Sequence, residues 1–238
     1  MAKSTVVQAT QVDFFREHGY LCLQGFHPKN RMASVRNKLL DELKRLKVWA
    51  AGKSLSSSLQ ELPPFQQIAK LSTLVKVPGL HEALITPELL GCIARLDGRA
   101  PSAVQGMQLL LSLPHQGTWT LEGLNWHVDV TAQPPDRLPG IQAFVLIDDV
   151  APRGGATLAL AGAHRLHARQ AVSAPSLREV LRTSGNLEAD LRKMGVTILE
   201  MSGRAGDVFL MDMRLLHTPS INATKNVRMM ATARFFLP

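Results

Sequence analysis

The two residues best suited to chemistry in this sequence are His127 and Asp129, which stand two positions apart. In an extended chain, residues i and i+2 point to the same face, so the imidazole and the carboxylate can reach one metal ion. Two protein ligands make a weak site. A third is available in His217, which follows a Gly-Asp turn and a strand-like run. We therefore predict a metal site built from these three side chains.

The donor set also indicates which metal would suit this site. Two imidazoles and one carboxylate on one side of an ion leave the opposite positions open, which suits Fe(II) chemistry with O2. A structural zinc site fills its fourth position and favours thiolates. The only two cysteines, Cys22 and Cys92, are far apart in the chain. Non-haem Fe(II) is therefore the expected metal, and a reducing compartment is the expected setting.

Arg228 is the expected partner of a co-substrate. It lies on the strand-like run 227–236, and an antiparallel return through residues 219–226 is predicted to bring it beside His217. A guanidinium group can make two parallel hydrogen bonds to a carboxylate, so Arg228 suits the distal carboxylate of 2-oxoglutarate. Arg234 has the same strand parity and is the second choice, because it lies further from the turn.

The order of these residues carries more information than any one of them, because a His-x-Asp triplet occurs often by chance. The specific pattern is the triplet, a long gap, Gly-Asp, a strand, a histidine and then an arginine. The remaining histidines are expected to be core or surface residues, with a possible structural role for one of them, His164. They are His18, His27, His81, His115, His164 and His167.

The elements that must position these residues change in character at Pro101. Before it the pattern is mainly helical, with one strand near 20–24 and a loop near 49–63. Helices are predicted over 9–18 (with Thr10 as N-cap), from Asn30 to Val48, and around 64–76 and 81–97. After it, short strand-like runs alternate with turn signals. These strands are predicted at 105–113, 141–147, 157–160, 196–199, 208–211 and 227–236.

This organisation predicts one α+β domain over residues 1–238. Residues 1–100 would form helical support and a substrate region. Residues 101–238 would form a β-sandwich or jelly-roll core with a helical insertion near 175–193. A hydrophobic content of 45% is enough for such a core. The start lacks an apolar signal segment, and no apolar run reaches membrane-spanning length, so we expect a soluble cytoplasmic protein with no membrane partner.

Positive charge is concentrated in one predicted helix. The net charge is +8, and residues 29–53 carry eight basic and two acidic side chains. Such a surface is either a solvated helix face or a steering surface for an anionic partner. Aromatic residues make up only 5% of the chain and do not interleave with the basic ones. Nucleic acid is therefore not an expected partner.

Three stretches extend the pattern beyond the site residues. They are Phe14–Leu21, Gly154–Arg165, and Gly206–His217 followed by Asn222 and Arg228. Together with His127 and Asp129, they resemble the phytanoyl-CoA dioxygenase family of Fe(II)/2-oxoglutarate-dependent oxygenases. The middle stretch departs from the family pattern, because Ala161–His164 lacks the family's proline and serine. Residues 55–101 match no specific part of the family.

The resemblance implies a double-stranded β-helix, also called a jelly roll, buttressed by the N-terminal helices. It implies that Fe(II) is bound by His127, Asp129 and His217, and that Arg228 anchors 2-oxoglutarate. Gln108 and Thr157 would add hydrogen bonds to the co-substrate. The expected reaction uses O2 to hydroxylate an aliphatic C–H bond of a small organic substrate, free or linked to coenzyme A or a carrier protein, and it releases succinate and CO2.

Several alternatives remain open at this point. The carboxylate of Asp129 argues against a halogenase, because halogenases of this superfamily replace that ligand with a small residue. The same cofactor chemistry could serve desaturation, epimerisation or cyclisation. From other classes, the chain could be a catalytically silent jelly roll that binds metal or ligand, which Arg228 disfavours. It could also be an anion- or nucleic-acid-binding module, which the scarcity of aromatic residues disfavours.

Overall fold

The structure is a computed structural model and describes residues 6–130, 137–168 and 176–238. Its N-terminal part is mainly helical. The helices and strands there are α1 (Ala9–His18), β1 (Tyr20–Leu23), α2 (Lys29–Arg45), β2 (Trp49–Ala50), β3 (Lys53–Ser54), α3 (Ser57–Gln60), α4 (Pro64–Leu74), α5 (Leu80–Leu84) and α6 (Pro87–Asp97). The predicted loop at 49–63 therefore contains a small β2–β3 hairpin and one helical turn.

The remainder is mainly strands. These elements are β4 (Ala103–Ser112), β5 (Gly140–Leu146), β6 (Thr157–Ala161), a 3-10 helix (Ala163–Ala168), α7 (Leu177–Thr183), α8 (Leu187–Lys193), β7 (Thr197–Glu200), β8 (Val208–Asp212), β9 (His217–Pro219) and β10 (Arg228–Phe236). The helical insertion expected near 175–193 is thus two short helices, and residue 175 lies outside the described ranges. Asn186 caps the second helix by accepting a hydrogen bond from the Ala189 N–H.

Two antiparallel sheets form the core. The larger has the order β1-β8-β5-β10-β4, and the smaller has the order β7-β6-β9. Most neighbouring strands in the two sheets are not consecutive along the chain, so the topology differs from a simple meander. This arrangement of facing sheets with N-terminal helices confirms the predicted α+β jelly-roll class.

The larger sheet is buried on both faces, and β5 shows how. Ile141, Ala143 and Val145 pack into the cluster that includes the N-terminal helices. Phe144 and Leu146, which alternate with them, pack into a second cluster with residues of the smaller sheet. One face of the larger sheet therefore meets the helices, and the other face meets the smaller sheet and is available to line a site.

Local signals set the helix ends. Helix α1 begins at a capping box of Gln8 and Gln11, so the expectation of Thr10 as N-cap is wrong. It ends at Gly19, whose φ of 77° favours glycine. The imidazole of His164 lies against Gly19, and its Nε2 is 3.0 Å from the Arg16 carbonyl oxygen. His164 thus joins the first helix to the β6 region.

The structure divides one predicted helix into two and confirms the buried face of another. The helix predicted at 81–97 is split into α5 and α6, because Pro87 starts a new helix that Thr86 caps. In α2, Met32, Val35 and Leu39 are buried, as the spacing of apolar residues predicts. No helix in the described ranges is both long and apolar enough to cross a membrane.

Candidate metal and co-substrate site

Backbone pairing brings His127 and His217 together. The His127 N–H donates to the His217 carbonyl oxygen at 3.0 Å, and the His217 N–H donates back at 2.9 Å. Residues paired in this way across antiparallel chains point to the same face. Their imidazole centroids are 4.6 Å apart. The pairing extends the edge of the smaller sheet at β9 and places both rings side by side.

Asp129 completes a three-residue cluster. Its Oδ1 is 3.9 Å from His127 Nε2, and its Oδ2 is 3.6 Å from His217 Nε2. One nitrogen or oxygen atom from each of the three residues lies within 4.8 Å of the other two. The spacing of two between His127 and Asp129 therefore places both side chains on the same site, as the sequence predicts.

The backbone holds each imidazole in a defined orientation. His127 Nδ1 lies 2.9 Å from the Asn125 carbonyl oxygen, and His217 Nδ1 lies 3.3 Å from the Leu215 carbonyl oxygen. A carbonyl accepts a hydrogen bond, so Nδ1 carries a proton in each case, and Nε2 is the nitrogen that faces Asp129 and is available to a metal. Both Nε2 atoms face Asp129, which is the geometry that a bound cation requires.

The charge of Asp129 is strongly stabilised. Burial works to raise the pKa of its carboxyl group, but His217 and Arg234 lower it by hydrogen bonding and by charge, and they prevail. Arg234 donates from Nε at 2.8 Å and from Nη2 at 2.6 Å. The pKa therefore lies well below the usual range for aspartate, so the carboxylate is ionised at neutral pH and is available to bind a cation.

Arg228 is a buried cation for which the described residues provide no anionic partner. Its side chain is 2% exposed, and Nε and Nη2 have no hydrogen-bond partner within the described residues. Its Nη1 lies 3.9 Å from the Met230 sulfur, a weak acceptor. Burial lowers the pKa of the guanidinium to about 9, so the group is still charged at neutral pH. An unpaired buried charge is costly, and a bound carboxylate would compensate it.

All six predicted site residues line one cavity of about 200 Å³. Thr157 is 3% exposed, and the Gln108 amide donates to Ser72 Oγ at 2.8 Å. Residues of this wall that the sequence reasoning missed are Phe65, Ile68, Ala69, Leu110, Gln142, Phe144, Pro219 and Thr232. Thr232 could have been found, because it shares the parity of Arg228 and Arg234 on one strand.

The predicted route from His217 to Arg228 is wrong, although both residues reach the cavity. Strand β9 pairs with β6, whereas β10 pairs with β4 and β5. His217 and Arg228 therefore belong to facing sheets, not to one antiparallel hairpin. The chain between them crosses from the smaller to the larger sheet, and both residues line the same cavity.

Comparisons with known proteins agree with this architecture. The model of the phytanoyl-CoA dioxygenase family matches residues 15–230. No curated protein matches the chain. Among solved structures, AviO1 from Streptomyces viridochromogenes Tue57 is similar with a TM-score of 0.60 and 16% identity, over 98% of this chain and 96% of that one.

Two other similar structures come from nogalamycin biosynthesis. The first is the non-haem α-ketoglutarate-dependent carbocyclase SnoK, with a TM-score of 0.58 and 19% identity over 99% of this chain and 86% of that one. The second is the epimerase SnoN in complex with Fe3+, α-ketoglutarate and nogalamycin RO, with a TM-score of 0.59 and 16% identity over 95% and 82%. At such identities the likeness establishes the fold.

Proposed function

Since this chain belongs to the phytanoyl-CoA dioxygenase family of Fe(II)/2-oxoglutarate-dependent oxygenases, we propose that it hydroxylates an aliphatic C–H bond of a small organic substrate. The family's cofactors, Fe(II), 2-oxoglutarate and O2, are those expected from the sequence. Which residues of this chain bind them, and which reaction follows, are parts of the proposal.

The observation that carries the proposal is the buried guanidinium of Arg228, which lines the same cavity as the His-Asp-His cluster and has two nitrogens without a hydrogen-bond partner in the described chain. A metal site alone would fit many functions. A buried cation without a partner, facing the same small space, specifies an anionic ligand that binds beside the metal. A dicarboxylate can satisfy both groups, with one end at the metal and the other at Arg228.

Each of the predicted site residues would have a role in binding the metal or the co-substrate. His127, Asp129 and His217 would hold Fe(II) on one side, and Arg228 would orient the distal carboxylate of 2-oxoglutarate. Thr157 and Gln108 would contribute hydrogen bonds from opposite walls. When bound, Fe(II) and 2-oxoglutarate supply the oxidative decarboxylation that gives succinate and CO2 and activates O2 toward a C–H bond. Burial of the site would exclude water from the reaction.

Epimerisation and cyclisation are the second candidate outcomes. They are favoured by the likeness to a carbocyclase and an epimerase, which have the same fold. The residues of the metal cluster do not discriminate between them and hydroxylation, because the same activation of a C–H bond precedes all three. Analysis of the product for an added oxygen atom separates hydroxylation from the other two.

The site also indicates where the substrate would lie. A volume of about 200 Å³ suits the co-substrate, but it is below the usual range for a drug-sized ligand. A larger cleft of about 750 Å³ shares His127 with this cavity and is walled by α7. Its apolar walls include Leu121, Leu124, Trp126, Leu181 and Leu216. Arg178 and Arg182 also line it, so we propose this cleft as the place of a small molecule that has both apolar and polar groups.

The basic helix α2 lies away from both the cavity and the proposed substrate cleft. Its apolar side chains pack on the helix-covered face of the larger sheet, and none of its residues lines the cavity or the cleft. Two of its cations are already paired, Arg36 with Asp148 and Arg45 with Glu42. We therefore propose a free small molecule as the substrate in preference to one carried by an acidic protein.

A charge reversal on the helix tests this choice. We expect the Lys44→Glu, Arg45→Glu, Lys47→Glu triple variant to keep kcat/KM for its substrate within about twofold of wild type, across the range of ionic strength over which surface charges are screened. A carrier-linked substrate would be steered by this surface. In that case kcat/KM would fall sharply in the variant, and salt would lower the wild-type value.

The proposed function itself is tested by a spectrum. Anaerobic addition of Fe(II) and then 2-oxoglutarate to the apoprotein is expected to produce the visible charge-transfer band of the metal–co-substrate chelate. Succinate, which lacks the keto oxygen, serves as the matched control and should produce no band. A metal-loaded protein that shows no band with 2-oxoglutarate would instead support the silent metal-binding alternative.

A further inference from the structure

Arg234 makes a contact that a co-substrate anchor would not make. Its Nε and Nη2 both donate to the same oxygen of Asp129, Oδ2, at 2.8 and 2.6 Å. The third nitrogen, Nη1, donates to Gln105 Oε1 at 3.1 Å. The side chain of Arg234 is 20% exposed. All three nitrogens of its guanidinium group are therefore occupied by protein groups, in contrast to Arg228.

The two oxygens of Asp129 consequently differ. Oδ2 receives two charge-assisted hydrogen bonds. Oδ1 receives no N–H within hydrogen-bond distance from the part of the chain that the structure describes, and it lies 3.9 Å from His127 Nε2. A planar guanidinium fixes the rotation of a carboxylate more firmly than a single point charge does. The contact therefore engages Oδ2, which also lies 3.6 Å from His217 Nε2, and leaves Oδ1 without a donor on the His127 side of the cluster.

The strand geometry explains why Arg234 can take this position. Arg234 and Arg228 are six residues apart on β10, which places their Cα atoms about 20 Å apart along the strand. A register shift on the β4 side between Thr232 and Arg234 sets Arg234 opposite Gln105. The two arginines thus approach the cavity from different ends, and only Arg234 reaches the metal cluster.

From these contacts we propose that Arg234 is a positioning residue, which holds Asp129 as a one-oxygen metal ligand while Gln105 holds Arg234. The inference rests on the proposed metal site and deepens it. A carboxylate that binds through one oxygen leaves an additional coordination position open, and 2-oxoglutarate and O2 together require three. Groups that orient a ligand from outside the coordination sphere affect metal affinity strongly.

The test uses variants that keep the charge of the site. Arg234→Lys retains the positive charge but loses the planar fork, and Gln105→Met leaves Arg234 intact but removes its support. Because neither variant changes the net charge near the metal, a change in affinity reports orientation and not Coulomb attraction. The probes are Co(II), whose visible spectrum reports ligand geometry, and 2-oxoglutarate at saturating metal.

We expect Arg234→Lys to weaken Co(II) binding about 10- to 100-fold, the usual cost of losing an outer partner of a metal ligand. The Co(II) spectrum should change, and the Kd of 2-oxoglutarate at saturating metal should stay within about threefold of wild type. Gln105→Met should act in the same direction, with a smaller loss. Apoprotein thermal unfolding checks that each variant is folded.

Two results would overturn the assignment. One is an unchanged Co(II) Kd and spectrum in both variants. The other is a loss of 2-oxoglutarate affinity in Arg234→Lys as large as that of an Arg228 variant, which would make Arg234 an anchor. If wild-type protein binds Co(II) and His127→Ala does not, the metal site stands whatever Arg234 does. If wild type binds no metal, the proposed function fails as well.

Discussion

His127→Ala, Asp129→Ala and His217→Ala are each expected to abolish 2-oxoglutarate turnover. Each of the three side chains offers one potential ligand atom, and these atoms lie within 4.8 Å of one another, so any one loss would leave the proposed site with two ligands. Changing an outer partner of a metal ligand already costs about 10–100-fold in affinity, and removing the ligand itself should cost more. Succinate release from Fe(II)-loaded protein is the measurement.

The control for this prediction is His81→Ala, which removes an exposed histidine of α5. It should leave succinate release and metal affinity at the wild-type level. The three site variants should remain folded in thermal unfolding, because the paired backbone groups of His127 and His217 do not depend on their side chains. Near-normal succinate production by any one of the purified site variants would remove the central proposal.

The close approach of His127 and Asp129 could be predicted because its signal is local. His127 and Asp129 lie on one face by the period of an extended chain, and that period holds whatever the tertiary fold. Helix α2 and strand β5 follow from their patterns for the same reason. Helix caps and very short strands were predicted less accurately than these elements. Gln8 is a poor N-cap by preference, and the β2–β3 hairpin has strands of two residues.

The chain path predicted for Arg228 was wrong, although Arg228 does line the cavity that holds the His-Asp-His cluster. Sequence proximity suggested a hairpin, but strand pairing in a jelly roll is decided by long-range packing, and β10 is flanked by β4 and β5. Parity alone placed Arg228 and Arg234 on one face and could not separate their roles. The contacts separate them, since Arg234 is bonded to Asp129 and Gln105, whereas two nitrogens of Arg228 have no partner in the described chain.

Because Arg228 lacks the protein partners that Arg234 has, the substitution Arg228→Met should affect stability and co-substrate binding in opposite directions. A methionine has a similar length, and it removes a buried charge that has no anionic partner among the described residues. Replacing buried ionic groups by well-packed apolar ones is often stabilising by about 1–4 kcal/mol. We therefore expect the free energy of unfolding of the variant apoprotein to equal or exceed that of wild type, as measured by denaturant titration.

The same substitution should destroy co-substrate binding. The loss of a bidentate, desolvated contact with a carboxylate costs about 2–5 kcal/mol. Since about 1.4 kcal/mol corresponds to tenfold, the Kd of 2-oxoglutarate should rise by roughly 30- to 4,000-fold at saturating Fe(II). Metal affinity without co-substrate should not fall, because Arg228 contacts none of the three cluster residues and the loss of a nearby positive charge favours a bound cation. Anaerobic titration of the charge-transfer band measures the Kd of 2-oxoglutarate, and Co(II) titration measures the metal affinity.

Arg95→Met is the matched control, because it makes the same exchange on the exposed side of α6. It should alter neither stability nor 2-oxoglutarate affinity appreciably. An Arg228→Met protein that is less stable than wild type and still binds 2-oxoglutarate normally would show that the guanidinium serves the fold. A protein made more stable by the exchange, yet unable to bind 2-oxoglutarate, would show that this chain keeps an unfavourable buried charge for its ligand, as expected where function and stability conflict.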